Sequence, residues 1–175
     1  MGRFTEYMKN DSVKKYYDLL YKKRISLVVK RIFDIVVAIV VSIILSPVFI
    51  ILSIAIKLDS KGPVMFRQVR VTQYGRKFRI FKFRTMVNNA DKMGTQVTTK
   101  NDARVTKVGK FLRKSRLDEI PQLLNIIFGD MTFVGTRPEV VKYVDKYTDE
   151  MMATLLLPAG VTSEASIQYK DEELL

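Results

Sequence analysis

The chain contains no histidine and no cysteine. Any nucleophile, acid or base must therefore be Asp, Glu, Lys, Tyr, Ser or Thr. Disulfides, thiolate chemistry and His-ligated metals are excluded. Two carboxylates stand side by side in the stretch Ser115-Arg116-Leu117-Asp118-Glu119-Ile120-Pro121-Gln122. Pro121 suits the first turn of a helix, where its missing N–H is not needed, and Gly129 suits the stop. This predicts a helix with Asp118 near its N-cap and Glu119 beside it. On these residues alone the leading reading is structural, Asp118 an ordinary cap and Glu119 a charge complementing the helix dipole.

The elements that must position this pair begin with an uncharged apolar run from Ile35 to Ile56, interrupted by Ser46-Pro47. A hydrocarbon core of ~30 Å takes roughly 20 apolar residues to cross as a helix, so the run is long enough. Its flanks argue against a simple crossing. Lys22, Lys23, Arg24, Lys30 and Arg31 precede it, and Lys57, Lys61, Arg67 and Arg70 follow it. Basic residues mark the cytoplasmic side, so a spanning helix would strand one cluster. Pro47 also kinks or breaks a helix, and the Ser46 hydroxyl can bond the backbone group that it frees. Two half-helices of about 11 residues, each rising ~1.5 Å per residue, reach about half way through the bilayer. The expectation is a re-entrant hairpin broken at Ser46-Pro47; a kinked single-pass helix is the alternative.

Lys and Arg number 30 against 18 Asp and Glu, a net charge of +12. Such an excess implies an anionic partner: lipid headgroups, nucleic acid or phosphorylated substrates. Residues 1–29 are expected to form an amphipathic surface helix or a tail, 30–58 the membrane helix-break-helix, and 59–175 a cytosolic domain. After the turn Asp59-Ser60-Lys61-Gly62-Pro63, Val64–Val71 and Phe78–Arg84 predict a β-hairpin closed at Tyr74-Gly75-Arg76-Lys77. Its second strand places Arg79, Lys82 and Arg84 on a basic side. Asn88–Lys100 predicts a polar loop, and Val105–Lys114 a basic amphipathic helix. Met131–Pro138 predicts a short strand ending in Gly-Thr-Arg-Pro, Val140–Leu157 a helix and Leu157–Val161 a turn. The fold class is α/β in the α+β sense: a small helix-rich domain with a short hairpin or sheet, on a re-entrant membrane helix.

Several strings, in order, resemble the bacterial sugar transferases, the monotopic phosphoglycosyltransferases or polyprenyl-phosphate glycosyl-1-phosphate transferases. They are the basic lead Lys30-Arg31, the membrane run with Ser46-Pro47, GPVMFRQVR, KFRIFKFRTM, RLDEIPQLLNIIFGDMTFVGTRPE and LPAGVT. The resemblance runs from about Lys30 to Gln168. Two departures stand out. The family usually has Pro-Arg-Pro where this chain has Thr136-Arg137-Pro138. The segment after Leu157 also lacks the arginine and tryptophan of the commoner Arg-Pro-Gly-Ile-Thr-Gly-Trp-Ala-Gln type. Family members usually continue past this point.

The resemblance implies transfer of a sugar-1-phosphate from a UDP-sugar to polyprenyl (undecaprenyl) phosphate with release of UMP. That would be the first membrane step of a bacterial glycan pathway such as exopolysaccharide, capsule, O-antigen or glycoprotein. It implies Asp118 as nucleophile in a ping-pong route through an aspartyl-phosphosugar, its ionised form favoured by a helix N-terminus that also offers N–H groups to phosphate. Glu119 is implied as a ligand of Mg²⁺, and Arg137, in a loop ending at Pro138, as a planar grip on an oxyanion. Lys82 and Arg84 are candidates for diphosphate or lipid phosphate, with Arg113 beside them. The implied location is the bacterial inner membrane, with the catalytic domain on its cytoplasmic face and membrane lipid as a partner. No nucleic acid partner is expected, and a homodimer stays open. Competing readings are direct displacement with Asp118 as general base, a membrane-anchored nucleic-acid-binding module, and a single-pass structural protein.

Overall fold

A computed structural model describes residues 8–90, 93 and 102–163. The chain starts with helix α1 (Asp11–Lys22), whose N-terminus is capped by the Asn10 side chain accepting from Val13 N–H at 2.8 Å. Helix α2 (Arg24–Ile44) and helix α3 (Ser46–Asp59) follow, bent by 61° at a break of one residue. The β-hairpin is β1 (Met65–Val71) against β2 (Lys77–Phe83), antiparallel with Gln68 opposite Ile80. Helix α4 (Lys107–Lys114), a 3₁₀ turn (Leu117–Glu119) and helix α5 (Gln122–Ile127) lead into β3 (Met131–Val134). A short helix α6 (Val141–Val144) and a 3₁₀ segment (Met151–Leu156) carry the chain to β4 (Ala159–Thr162), which pairs parallel to β3.

The break between α2 and α3 follows from Pro47. It lacks an N–H for the carbonyl of Ile43, four residues back, and the Ser46 hydroxyl donates to that carbonyl at 2.8 Å. No single described helix is long and apolar enough to cross a membrane, whereas the bent pair α2–α3 passes that test jointly. One side of the pair packs on the domain: Ala38 joins Phe78, Ile80, Leu123, Ile126 and Met131, and Leu52 and Ile56 join Phe83 and Leu112. The other side is bare apolar surface, with Ile43 and Ile44 at the bend each 67% exposed.

Polar contacts fix α2 against the domain. Lys30 Nζ pairs with Asp34 Oδ2 at 2.7 Å, and the Thr132 hydroxyl bonds both of them. Arg31 donates to the carbonyls of Met131 (2.8 Å) and Ile126. The expected pairing of Asp34 with a neighbouring base is therefore present, and it ties α2 to β3.

Several expectations need correction. The N-terminal segment, expected as an amphipathic surface helix or a tail, holds helix α1, largely exposed, and its apolar side is anchored: Met8 and Val13 enter a core with Val71, Val144, Met152, Leu155 and Leu156. The helix expected over Val140–Leu157 is broken into α6 and the 3₁₀ segment. Thr148 starts the second piece anew, its hydroxyl accepting from Met151 N–H three residues on. The expected turn at Leu157–Val161 is largely strand β4. Gly160 permits it, because a Cβ there would meet Gly135 N at 2.3 Å. Most of the Asn88–Lys100 loop, residues 1–7 and residues 164–175 lie outside the described residues.

Candidate active site

Asp118 and Glu119 lie in the 3₁₀ turn between α4 and α5, with Arg116 leading into it in the left-handed region at φ 57°. The expected helix-cap placement is wrong. Pro121 is itself the N-cap of α5, which has six residues, and the turn before it closes on its own hydrogen bond from Ile120 N–H to the Leu117 carbonyl. The pair is thus presented by a tight turn rather than by a helix terminus.

Strand β2 delivers the first cation. Lys82 Nζ reaches Glu119 Oε1 at 2.6 Å. The loop after β3 delivers the second, Arg137 Nη2, at 3.3 Å from the same oxygen. Arg113, on the last turn of α4, donates through Nε to the Thr85 hydroxyl at 2.9 Å and lines the same cleft. The expected Thr136-Arg137-Pro138 loop is held from behind. Arg70 Nη1 donates to the Pro138 carbonyl at 3.0 Å, Val71 N–H to the Glu139 carbonyl at 2.9 Å, and Gly160 N–H to the Thr136 carbonyl at 2.8 Å. This backbone clasp supplies the fixing that a proline at position 136 would otherwise give. Pro138 itself is buried behind the cleft.

Two residues important to this geometry carry little signal of that role in the sequence pattern: Arg70 and Asn125. Asn125 is fully buried and bridges α5 to the edge of β2, accepting from Phe81 N–H at 2.8 Å and donating to the Arg79 carbonyl at 3.1 Å. It sets the spacing between the carboxylate turn and Lys82. Its one sequence signal is a polar amide among Leu123, Leu124, Ile126 and Ile127.

Arg84 lines the cleft, but its guanidinium is taken up away from the carboxylate pair. It is 5% exposed, and its guanidinium donates to the carbonyls of Ser60 (2.6 Å), Lys61 (2.8 Å) and Ile56 (3.4 Å), closing the C-terminal end of α3. Gly62 makes room for it: a Cβ there would lie 2.1 Å from Arg84 Nη1. The expected common basic side of β2 fails for a simple reason. Side chains alternate between faces with period two, which puts Lys82 and Arg79 on opposite faces. Arg84 lies past the strand's last residue. Ser46 and Pro47 belong to the helix break and do not line the cleft.

The cleft measures about 970 Å³ and is lined by seven arginines and Lys82 against Asp118 and Glu119. Burial pushes the Asp118 carboxyl above the usual aspartate range, against the pull of Lys82. Burial also pushes Glu119 up, but Lys82 and Arg137 outweigh it and hold Glu119 below the usual glutamate range. Two adjacent carboxyls are thereby driven in opposite directions, which is how neighbouring acids acquire different tasks. Among the described residues no group of three or more acidic side chains gathers into a closed metal cage. An Asp-Glu pair opening on a cationic cleft suits a hard cation that binds through one or two carboxylates, water and substrate phosphate.

The bacterial sugar transferase family model matches residues 25–174. The chain belongs to the bacterial sugar transferase family. It is 43% identical over 148 residues to a Klebsiella pneumoniae UDP-glucose:undecaprenyl-phosphate glucose-1-phosphate transferase, covering 82% of this chain and 31% of that protein. It is 45% identical over 144 residues to an Aeromonas hydrophila UDP-N-acetylgalactosamine-undecaprenyl-phosphate N-acetylgalactosaminephosphotransferase, covering 81% and 34%. A putative undecaprenyl-phosphate N-acetylgalactosaminyl 1-phosphate transferase of Bacillus subtilis is 39% identical over 125 residues, covering 71% and 70%. The chain thus spans about a third of the length of the first two relatives and over two thirds of the third. In this family member the matched region takes in the α2–α3 pair, the hairpin and the Asp118-Glu119 turn.

Proposed function

We propose that this protein transfers a sugar-1-phosphate from a UDP-sugar to undecaprenyl phosphate, releasing UMP. The observation that carries the proposal is a carboxylate pair of opposed acidity in a cleft whose other charges are cations. Attack by a carboxylate on phosphorus is opposed by the negative oxygens around it, so catalysis rests on positioning and charge neutralisation. The relatives' named activities support the same reaction class.

Asp118 attacks the sugar-proximal phosphorus, forming an aspartyl–phosphorus bond as the bond to the UMP oxygen breaks. The phosphate oxygen of undecaprenyl phosphate then attacks the same phosphorus. The aspartyl bond breaks, the Asp118 carboxylate is regenerated, and undecaprenyl diphosphate-sugar leaves. Arg137 and Lys82 anchor Glu119 and face the phosphates, and Arg113 lines the same cleft beside them. Glu119 would help hold Mg²⁺, which when bound would neutralise diphosphate oxygens. The bent pair α2–α3 serves as a re-entrant anchor in the bacterial inner membrane, its bare apolar side in lipid and the domain on the cytoplasmic face. The lipid substrate keeps its phosphate at that same interface.

The test is UMP release by detergent-purified protein with Mg²⁺ and undecaprenyl phosphate, offered UDP-glucose, UDP-galactose and UDP-N-acetylgalactosamine in turn. Release with at least one donor is expected. No release from folded protein with any donor would overturn the proposal.

A further inference from the structure

The residue that turns α4 into the carboxylate turn is an arginine in a conformation that suits glycine. Arg116 has φ 57° and ψ 14°. In this left-handed region the Cβ of an L-residue crowds its own backbone, so Gly, Asn and Asp are the usual occupants. Two backbone bonds hold it there: Arg116 N–H to the Arg113 carbonyl at 3.2 Å and Glu119 N–H to the Arg116 carbonyl at 3.3 Å. A long cationic side chain at such a position is a local cost in the fold, and costs of this kind concentrate where a site needs the side chain.

The side chain is exposed and lines the cleft that holds Asp118 and Glu119. Its guanidinium makes no hydrogen bond or ion pair among the described residues. The other cations have structural tasks to share: Lys82 and Arg137 hold Glu119, Arg113 bonds Thr85, Arg70 bonds Pro138, and Arg84 closes α3. Arg116 stands two residues before Asp118 with its fork uncommitted.

We propose that Arg116 is a substrate-binding residue that grips a phosphate oxygen at the Asp118 side of the cleft. The proposal rests on the phosphotransferase reading above. A planar guanidinium matches two phosphate oxygens at once. The phosphate comes from the nucleoside diphosphate of the donor or from the polyprenyl acceptor, and the two sources are separable because the route takes them in turn.

The experiment compares wild type with Arg116→Gly, Arg116→Asn and Arg116→Lys. Gly and Asn both accept the left-handed backbone, so their turn keeps its shape while the charge is lost. Melting temperatures of both are expected to equal or exceed that of wild type. kcat/KM is measured with UDP-sugar varied and then with undecaprenyl phosphate varied. A loss of about tenfold or more in both neutral variants is expected. Confined to the donor, the loss assigns the diphosphate; confined to the acceptor, the lipid phosphate. Arg116→Lys is expected to recover part of it, which a purely structural role would not produce. Binding of UDP by the purified protein is measured separately, without turnover. If wild type releases no UMP yet binds UDP more tightly than Arg116→Gly, the phosphotransferase reading fails and Arg116 stands. Unchanged kcat/KM for both substrates in both neutral variants would overturn the assignment, as would absence of both UMP release and UDP binding by wild type.

Discussion

Two cations sit on one oxygen of Glu119, and that asymmetry divides the labour of the carboxylate pair. Glu119 is held ionised, while burial makes Asp118 the harder of the two to ionise. Attack on phosphorus needs Asp118 deprotonated, so kcat/KM should fall as the pH drops through a value above the usual aspartate range. Lys82 opposes that upward push on Asp118 and also holds Glu119 down. Lys82→Met should therefore move the acid limb of the pH–rate profile to higher pH, measured as kcat/KM for the donor against pH. An acid limb unmoved by the substitution would disconnect Lys82 from the pair. Arg84 predicts differently. Arg84→Ala leaves buried carbonyls at the end of α3 without donors and should cost about 2–4 kcal/mol of stability. Chemical denaturation checks this, with KM for the donor expected to stay near wild type. The acid pair, Lys82, Arg113 and Arg137 were legible in the sequence because their residue types suit phosphate chemistry and their strings resemble the family's. The carbonyl partners of Arg84 were not legible, because composition does not reveal which face of a strand, or which side of its end, a basic residue takes. Arg70 and Asn125 act across separations of 68 and 44 residues, on Pro138 and Phe81, and no local pattern announces such contacts.

At the scale of elements, the hairpin, the short strand β3 and the break at Ser46-Pro47 follow from local chemistry: alternation, turn residues and a missing N–H. Strand β4 did not, because a parallel partner 28 residues away supplies its hydrogen bonds, as in Met131 opposite Ala159. Nor did the break after α6, where helical spacing persists across a Thr148 turn that spacing cannot register. The carboxylate turn depends on α5 being stapled to β2 through Asn125. Asn125→Leu keeps the volume roughly but abandons the Phe81 N–H and the Arg79 carbonyl. It should lower stability by about 1–3 kcal/mol and reduce kcat more than it raises KM, because it moves Asp118 relative to Lys82. Guanidinium denaturation and donor-varied kinetics check both parts. Full kcat in a folded Asn125→Leu protein would show that the spacing does not matter.

Over the whole molecule, α2 and α3 are both pinned to the domain, by the Lys30–Asp34–Thr132 cluster and Arg31 at one end and by the Arg84 closure at the other. As the proposed re-entrant anchor, a pair so attached would fix the cleft at one depth relative to lipid, where a phosphate on a buried prenyl chain can reach it. With the break intact, tags at both termini should be protected from protease added outside intact cells. Exposure of one terminus alone would replace the re-entrant anchor with a spanning one. The apolar run and its bend were legible from charge-free length and one proline. The packing of α1 onto Met152 and Leu155 was not, because its partners lie at the far end of the chain. The account as a whole depends on Asp118 carrying the phosphosugar between two substrates. The most direct measurement is the intact mass of protein incubated with Mg²⁺ and an accepted UDP-sugar, without undecaprenyl phosphate. A gain of one sugar-phosphate is predicted, located on Asp118, absent in Asp118→Asn and discharged when undecaprenyl phosphate is added. UMP release that needs both substrates at once with no adduct at any time, or an adduct that persists in Asp118→Asn, would contradict it.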